Sequence, residues 1–324
     1  MLRMNGEGAP VGDQSEIRAG VAIIGGGVVG AVAAATICRQ VAEQSVVIID
    51  GYGDPLGART LPLEDVHTIR EIGLARSVSQ PQLMEYATGL GATFLSGVAV
   101  ERVESSANGV DRLHLSDSRT IVADWFVDTR SPTDGSASGE NCLSCGGARN
   151  SLIGLDAGYT VAALSRGGYD RSWLLWSFDE TTRRRLSEFE RYASDKPLEL
   201  HRYNIVKPNL VGAQQGAIAK FHDGQVDPVP CYKRDGRVLP MTGVYAQLLE
   251  ALKHHTVIAD LLIELQQPGH APLEECLGGL ESMLQEGWLL GRLDRRRPLP
   301  EWASNAKPIA TISTFVQSHQ PIRE

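Results

Sequence analysis

Two short apolar runs, Val21 to Ile24 and Val46 to Ile49, have the length and composition of buried parallel strands. Between them Gly25 to Gly30 reads as a turn, and an Ala-rich stretch to about Ala42 reads as a helix. Together they predict a βαβ unit of about 30 residues. Leu83 to Thr88 reads as helical and is stopped by Gly89 and Gly91. Three strand candidates follow with no helix between them. Ala92 to Val103 is β-rich, Arg112 to Leu115 alternates and turns at Asp117-Ser118, and Thr120 to Val127 is strongly apolar. Strands in direct succession predict an antiparallel meander beside the parallel sheet.

Further along, the pattern loosens. Residues 131–150 are a Ser/Gly-rich loop, and 151–240 show only a polar helix near 179–193 and several short strands. The pattern sharpens again after 240. Val244 to His254 is helical, Thr256 is a candidate cap for Val257 to Leu265, and Pro272 opens a third helix reaching Glu286. Gly287 ends it, and Trp288 to Leu290 with Leu293 read as a closing strand. Three helices and a strand make a winged-helix-like module. The expected organisation is therefore a disordered lead-in (1–20), a dinucleotide-binding domain (21–150), an uncertain substrate or inserted region (151–240), the helical module (241–296) and a tail (297–324). No internal repeat is visible.

Composition narrows the classes. The 324 residues carry 31 Lys and Arg against 39 Asp and Glu, a formal charge of −8, which argues against a nucleic-acid partner. Five cysteines, an odd and sparse set, are no secreted disulfide framework. The first 20 residues lack the apolar centre of a signal peptide. Val21 to Cys38 carries no charge, but three adjacent glycines make it a strand–turn–helix rather than a membrane span. The chain is read as soluble and cytoplasmic, with no membrane partner.

The chemistry concentrates at Gly25-x-Gly27-x-x-Gly30, with Asp50 closing the next strand. Gly25 permits a tight turn, Gly27 lets backbone approach a pyrophosphate, and Gly30 lets helix and strand pack closely. The N–H groups from Gly27 through Val28 and Val29 to Gly30, with the positive end of the helix dipole, suit phosphates. The Asp50 carboxylate suits ribose hydroxyls and repels a 2′-phosphate. Arg59, after the second strand, is a candidate for a phosphate or the ribose, and equally a solvated loop arginine.

On these residues the chain resembles the FAD-dependent oxidoreductases with two dinucleotide-binding domains. Gly25 to Gly30 followed by Ala33-Ala34 is similar to their opening motif. The run Gly89 to Val103 resembles the segment whose strand backbone contacts adenine, near Val100. Ala123 to Asp128 resembles the third recurring element, which here ends Asp128-Thr129-Arg130 where the family has a small residue and glycine. The resemblance covers residues 21–130. It implies an α/β, Rossmann-like FAD/NAD(P)-binding domain and FAD as cofactor.

Cys142-x-x-Cys145 is the best side-chain candidate for redox catalysis, as a dithiol exchanging electrons with a flavin. It reads equally as two inert loop cysteines, or as half of a zinc site, for which no second pair is present. No metal site is expected. Arg237 to Leu293 resembles the small PqqD-like winged-helix domains, which bind leader peptides, and implies a possible protein partner. Trp173 and Trp176 read as core. Arg183 to Arg185 and Arg295 to Arg297 read as solvated faces. The leading function is a FAD-dependent oxidoreductase acting on a small-molecule or peptide substrate. The alternatives are an E1-like or other nucleotide-dependent peptide-maturation enzyme with zinc at the cysteine pair, and a non-catalytic flavoprotein-like partner subunit.

Overall fold

In the computed structural model the described residues are 15–51, 70–74, 78–107, 109–130, 142–144, 151–192, 199–222 and 225–297, with side chains left undescribed at 142–144, 185–192, 222 and 274. The chain divides into two compact units, Met1–Phe178 with Phe221–Val226, and Asp179–Lys220 with Asp227–Glu324. No helix among the described residues is long and apolar enough to cross a membrane.

The first unit is built on a seven-stranded sheet. Strands β1 (Glu16–Ile24), β2 (Val46–Asp50), β3 (Thr93–Ser96) and β6 (Thr120–Asp128) run parallel in the order β3-β2-β1-β6. Strands β4 (Val100–Ser106) and β5 (Gly109–Leu115) continue it as an antiparallel meander from β6. β6 is long enough to serve two neighbours on its far side. Its start pairs with β5, and its end pairs in parallel with β7 (Cys142–Ser144). One face of the sheet buries Ala22, Ile24, Val47, Ile49, Leu113 and Phe126 in a single cluster. Alternation sends Val21, Ile23, Val46 and Ile48 to the other face, and all four are buried.

Helix α1 (Val28–Gln40) links β1 to β2, and every residue from Val29 to Cys38 is buried. A helix buried all round needs cover on more than its sheet side. Helix α2 (Gln80–Gly89) and helix α3 (Ser151–Arg166) both pack on it. α3 comes closest: a Cβ on Gly154 would stand 2.4 Å from the Val29 carbonyl oxygen, and one on Gly158 would stand 2.5 Å from the Thr36 Cβ.

Several expectations are corrected here. β1 begins at Glu16, inside the presumed lead-in, because Glu16 to Ala19 pair with Thr120 to Ala123 of β6. The β-rich run from Ala92 is two strands, β3 and β4, with Gly97 at a φ of 72° between them. β7 falls within the presumed loop 131–150, whose other residues lie outside the described ones. The polar helix expected at 179–193 starts earlier: α4 runs from Arg171 to Tyr192.

The second unit holds a 3-10 turn (Glu199–Arg202), β8 (Ile205–Pro208), all but residues 221–226 of β9 (Gln214–His222) and β10 (Gln225–Arg234), which share a sheet in the order β11-β10-β9, and β11 (Arg237–Pro240), antiparallel to β10. Helices α5 (Gly243–His254), α6 (Ile258–Leu265) and α7 (Leu273–Gln285) and strand β12 (Leu289–Arg292) follow. The three helices and closing strand match the expected sequence of elements, with Val257 rather than Thr256 at the N-cap of α6. However, β12 pairs with β8, far upstream, instead of with a neighbour inside 241–296. Leu200, Val206 and Leu239 share one buried cluster with Leu248, Leu261, Leu277 and Trp288. This core therefore draws on residues from before 241.

Arg184 is not on a solvated face. It is 9% exposed, its guanidinium donates to the Val238 carbonyl, and it lies 5.0 Å from the Tyr245 ring centre. Arg183 is exposed, as expected, and pairs with the buried Glu180 at 2.7 Å, which raises the arginine's pKa. At Arg184 alone the helix face turns inward, with Glu180 at i−4.

Candidate functional site

The turn from β1 into α1 is fixed by three glycines with different physical roles. Gly25 has a φ of +113°, a conformation that favours glycine. Its N–H donates to the Ile49 carbonyl of β2 at 2.8 Å. Gly30 sits so close under the turn that a Cβ there would stand 2.0 Å from the Gly25 carbonyl oxygen. Gly27 is the N-cap of α1 in extended conformation, and a Cβ on it would meet no atom of the described residues within 4 Å.

The helix brings no cap of its own. α1 has no side-chain cap and no acidic residue in its first turn. Its first internal bond runs from the Ala31 N–H to the Gly27 carbonyl, 3.0 Å. The N–H groups of Val28, Val29 and Gly30 thus have no acceptor within the helix, and they carry the positive end of its dipole.

Asp50 ends β2 and is 7% exposed. Its Oδ2 lies 2.6 Å from where a Gly26 Cβ would be, so the carboxylate rests against the glycine turn. Gly26 is therefore needed for space, although the fingerprint spacing leaves that position open. The Gly26 carbonyl accepts from Gln80 Nε2 at 2.9 Å, at the start of α2. Sequence reasoning missed both residues. The third adjacent glycine was the available signal for the first, and nothing local marks Gln80.

The third wall is the end of β6, where Asp128 stands in register with Ile24. The Thr129 N–H and hydroxyl both donate to the Ile24 carbonyl at 2.9 Å. The same hydroxyl would stand 2.3 Å from a Gly25 Cβ. Asp128 is wholly buried and takes a two-pronged ion pair from Arg130, Nε to Oδ1 at 3.0 Å and Nη2 to Oδ2 at 2.9 Å. The chain leaves β1 toward β2 on one side and returns to β6 on the other. The β1/β6 gap is thus the topological switch point, the usual ligand crevice of such sheets.

The structure brings Gly25, Gly27, Val28, Val29, Gly30 and Asp50 together at one edge of the sheet. Val100 opens β4, half-buried and paired with Leu115, two residues after Val98, whose N–H donates to the Asp50 carbonyl at 3.0 Å. Arg59 and Cys145 lie outside the described residues, and Cys142 is described only as the first residue of β7. No group of three or more potential metal ligands occurs among the described residues. The other three cysteines, Cys38, Cys231 and Cys276, are buried free thiols. Burial pushes the Cys38 and Cys276 thiols up to about 11 and raises Cys231 as well.

No protein-family model matches the chain, and no curated protein matches it. Among solved structures it is similar to PqsL of Pseudomonas aeruginosa in complex with 2-aminobenzoylacetate, at 16% identity, 34% of this chain, 42% of that one and a TM-score of 0.29. It is also similar to a geranylgeranyl bacteriochlorophyll reductase-like protein of Thermoplasma acidophilum, at 12% identity, 35% and 39% coverage and a TM-score of 0.31. The flavin-dependent monooxygenase PieE, in complex with FAD and substrate, matches at 15% identity, 34% and 30% coverage and a TM-score of 0.30. The chain spans about two fifths or less of the length of these structures.

Proposed function

We propose that this protein is a FAD-dependent oxidoreductase. The observation that carries the reading is the space over Gly27, which no other described residue enters within 4 Å of a Cβ built there, at the uncapped end of α1, with the Asp50 carboxylate against the same turn. A cradle that one methyl group would begin to fill fits a diphosphate. In this reading Gly27, Val28, Val29 and Gly30 donate N–H groups to it, and Asp50 accepts from the adenosine ribose. By the flavoprotein resemblance the backbone near Val100 would contact the adenine. Bound FAD would supply the two-electron chemistry of its isoalloxazine, while the chain supplies orientation and electrostatics. The substrate is a small molecule or a peptide.

Cys142 and Cys145 are proposed as the accompanying redox pair. The parallel register of β7 with Phe126 to Asp128 supports this, because it brings Ser144, between the two cysteines, level with Asp128 at the strand end beside the glycine turn. The PqqD-like resemblance of Arg237 to Leu293 supports a peptide or protein partner for that module.

The test is the visible spectrum of the purified protein, as isolated and after incubation with FAD and desalting. Retained flavin absorbance with a protein-shifted spectrum is expected. A colourless protein that takes up no FAD overturns the reading.

A further inference from the structure

The glycine turn supplies N–H groups to an anion but no cationic side chain, and the end of β6 runs one alongside it, ion-paired with Asp128. We infer that Arg130, oriented by Asp128, is a diphosphate-binding residue of this site. The inference deepens the dinucleotide reading above and rests on it.

Three observations carry it. Arg130 leaves the sheet at the β1/β6 switch point, where ligands of open α/β sheets bind. Its Cγ lies 3.8 Å from the position of a Gly25 Cβ, so the side chain runs alongside the glycine turn. Its guanidinium is held rigidly. Asp128, with no exposed surface, fixes Nε and Nη2, and its Oδ1 also accepts the Arg130 backbone N–H at 3.0 Å.

The arrangement has a physical logic. A carboxylate at zero exposure must be paired, and the pair is costly to break. Asp128 therefore holds the guanidinium plane in place before a ligand arrives, and little side-chain entropy remains to be lost on binding. Asp128 takes the Nε and Nη2 edge of the guanidinium, and the Nη1/Nη2 edge is a second two-pronged face whose shape matches phosphate oxygens. Asp128 is the positioning residue, and Arg130 touches the ligand.

The test measures ADP and adenosine affinity for the full chain, wild type against Arg130→Met, Arg130→Lys and Asp128→Asn. The two probes share a base and ribose and differ in the diphosphate. The preference for ADP over adenosine should fall about tenfold to a hundredfold in Arg130→Met, the range for a hydrogen bond to a charged group. Adenosine affinity should stay as in wild type. Arg130→Lys, which keeps the charge and loses the fork, and Asp128→Asn, which loosens it, should fall between. A thermal melt on each variant checks folding, and Arg130→Lys keeps the test open if Arg130→Met does not fold. An unchanged ADP preference in the folded Arg130 variants overturns this inference alone. A wild-type protein that binds neither ADP nor FAD overturns the dinucleotide reading, and this inference with it.

Discussion

The α-carbon of Gly30 lies under the carbonyl of Gly25 at a distance that leaves no room for a methyl group: a Cβ would stand 2.0 Å from that oxygen. The obstacle is backbone at the exit of the central strand, so a side chain at 30 must move α1 away from β1. Gly30→Ala should destabilise the protein by about 1–3 kcal/mol, the usual cost of overpacking. Urea denaturation measures it. Wild-type stability in this variant would mean that helix and strand do not meet as closely as described.

Gly27 offers the opposite case. Its φ of −69° suits any residue, and a Cβ there meets no atom of the described residues within 4 Å. Gly27→Ala should leave stability within about 0.5 kcal/mol of wild type. Yet its methyl group enters the space assigned to the diphosphate, so FAD affinity should fall by about tenfold or more, the equivalent of about 1.4 kcal/mol. Flavin fluorescence titration reads this directly. Unchanged affinity would place the ligand elsewhere.

Much of this geometry is legible locally. Gly25, Gly27, Gly30 and Asp50 are visible because a turn, a backbone approach and a strand end each restrict residue type at fixed spacing. Gly26 is visible only once the Asp50 carboxylate is seen against it. What sequence pattern misses depends on distant partners. Ser151 to Arg166 shows no clean amphipathic face, since twelve of its residues are buried. Its two glycines, Gly154 and Gly158, four apart, are explained only by the backbone and side chains of α1 that they touch. β7 has three described residues, which pair with the end of β6, too short a run to carry a period. Glu16 to Gly20 mix charge with small residues, and they join β1 because β6 is long enough to pair with them.

In the second unit, Glu281 of α7 caps the 3-10 turn. Its carboxylate is 1% exposed and accepts the N–H groups of Glu199 at 2.8 Å and Leu200 at 3.1 Å. Gln285 adds a third donor at 3.0 Å. Glu281→Ala strands both backbone donors beside the core residue Leu200, and each buried unpaired donor costs about 1–3 kcal/mol. A loss of at least about 2 kcal/mol is expected by urea denaturation. Glu281→Gln keeps an acceptor oxygen and should lose less. Faster amide exchange at Leu200 than at Leu277 would tie the loss to the turn.

Thiol chemistry separates the cysteine pair from the rest of the chain. Cys38 and Cys276 are held up to about 11 from an ordinary 9.0, chiefly by burial, with the Glu275 charge adding to the second. Cys231 is raised too. The thiolate is the reactive form, so these three should resist a thiol reagent in the native protein at pH 8. Any rapid labelling then belongs to Cys142 or Cys145, and peptide mapping identifies which. The same shifts set a pH dependence. The unfolded chain releases these protons near 9 while the folded protein holds them until about 11. The stabilisation is therefore complete below about pH 9 and is lost as pH rises toward 11. Denaturation midpoints measured from pH 8 to 11 should fall through that window, and Cys38→Ala with Cys276→Ala should flatten the decline. A decline of the same steepness in the double variant would assign it to other groups.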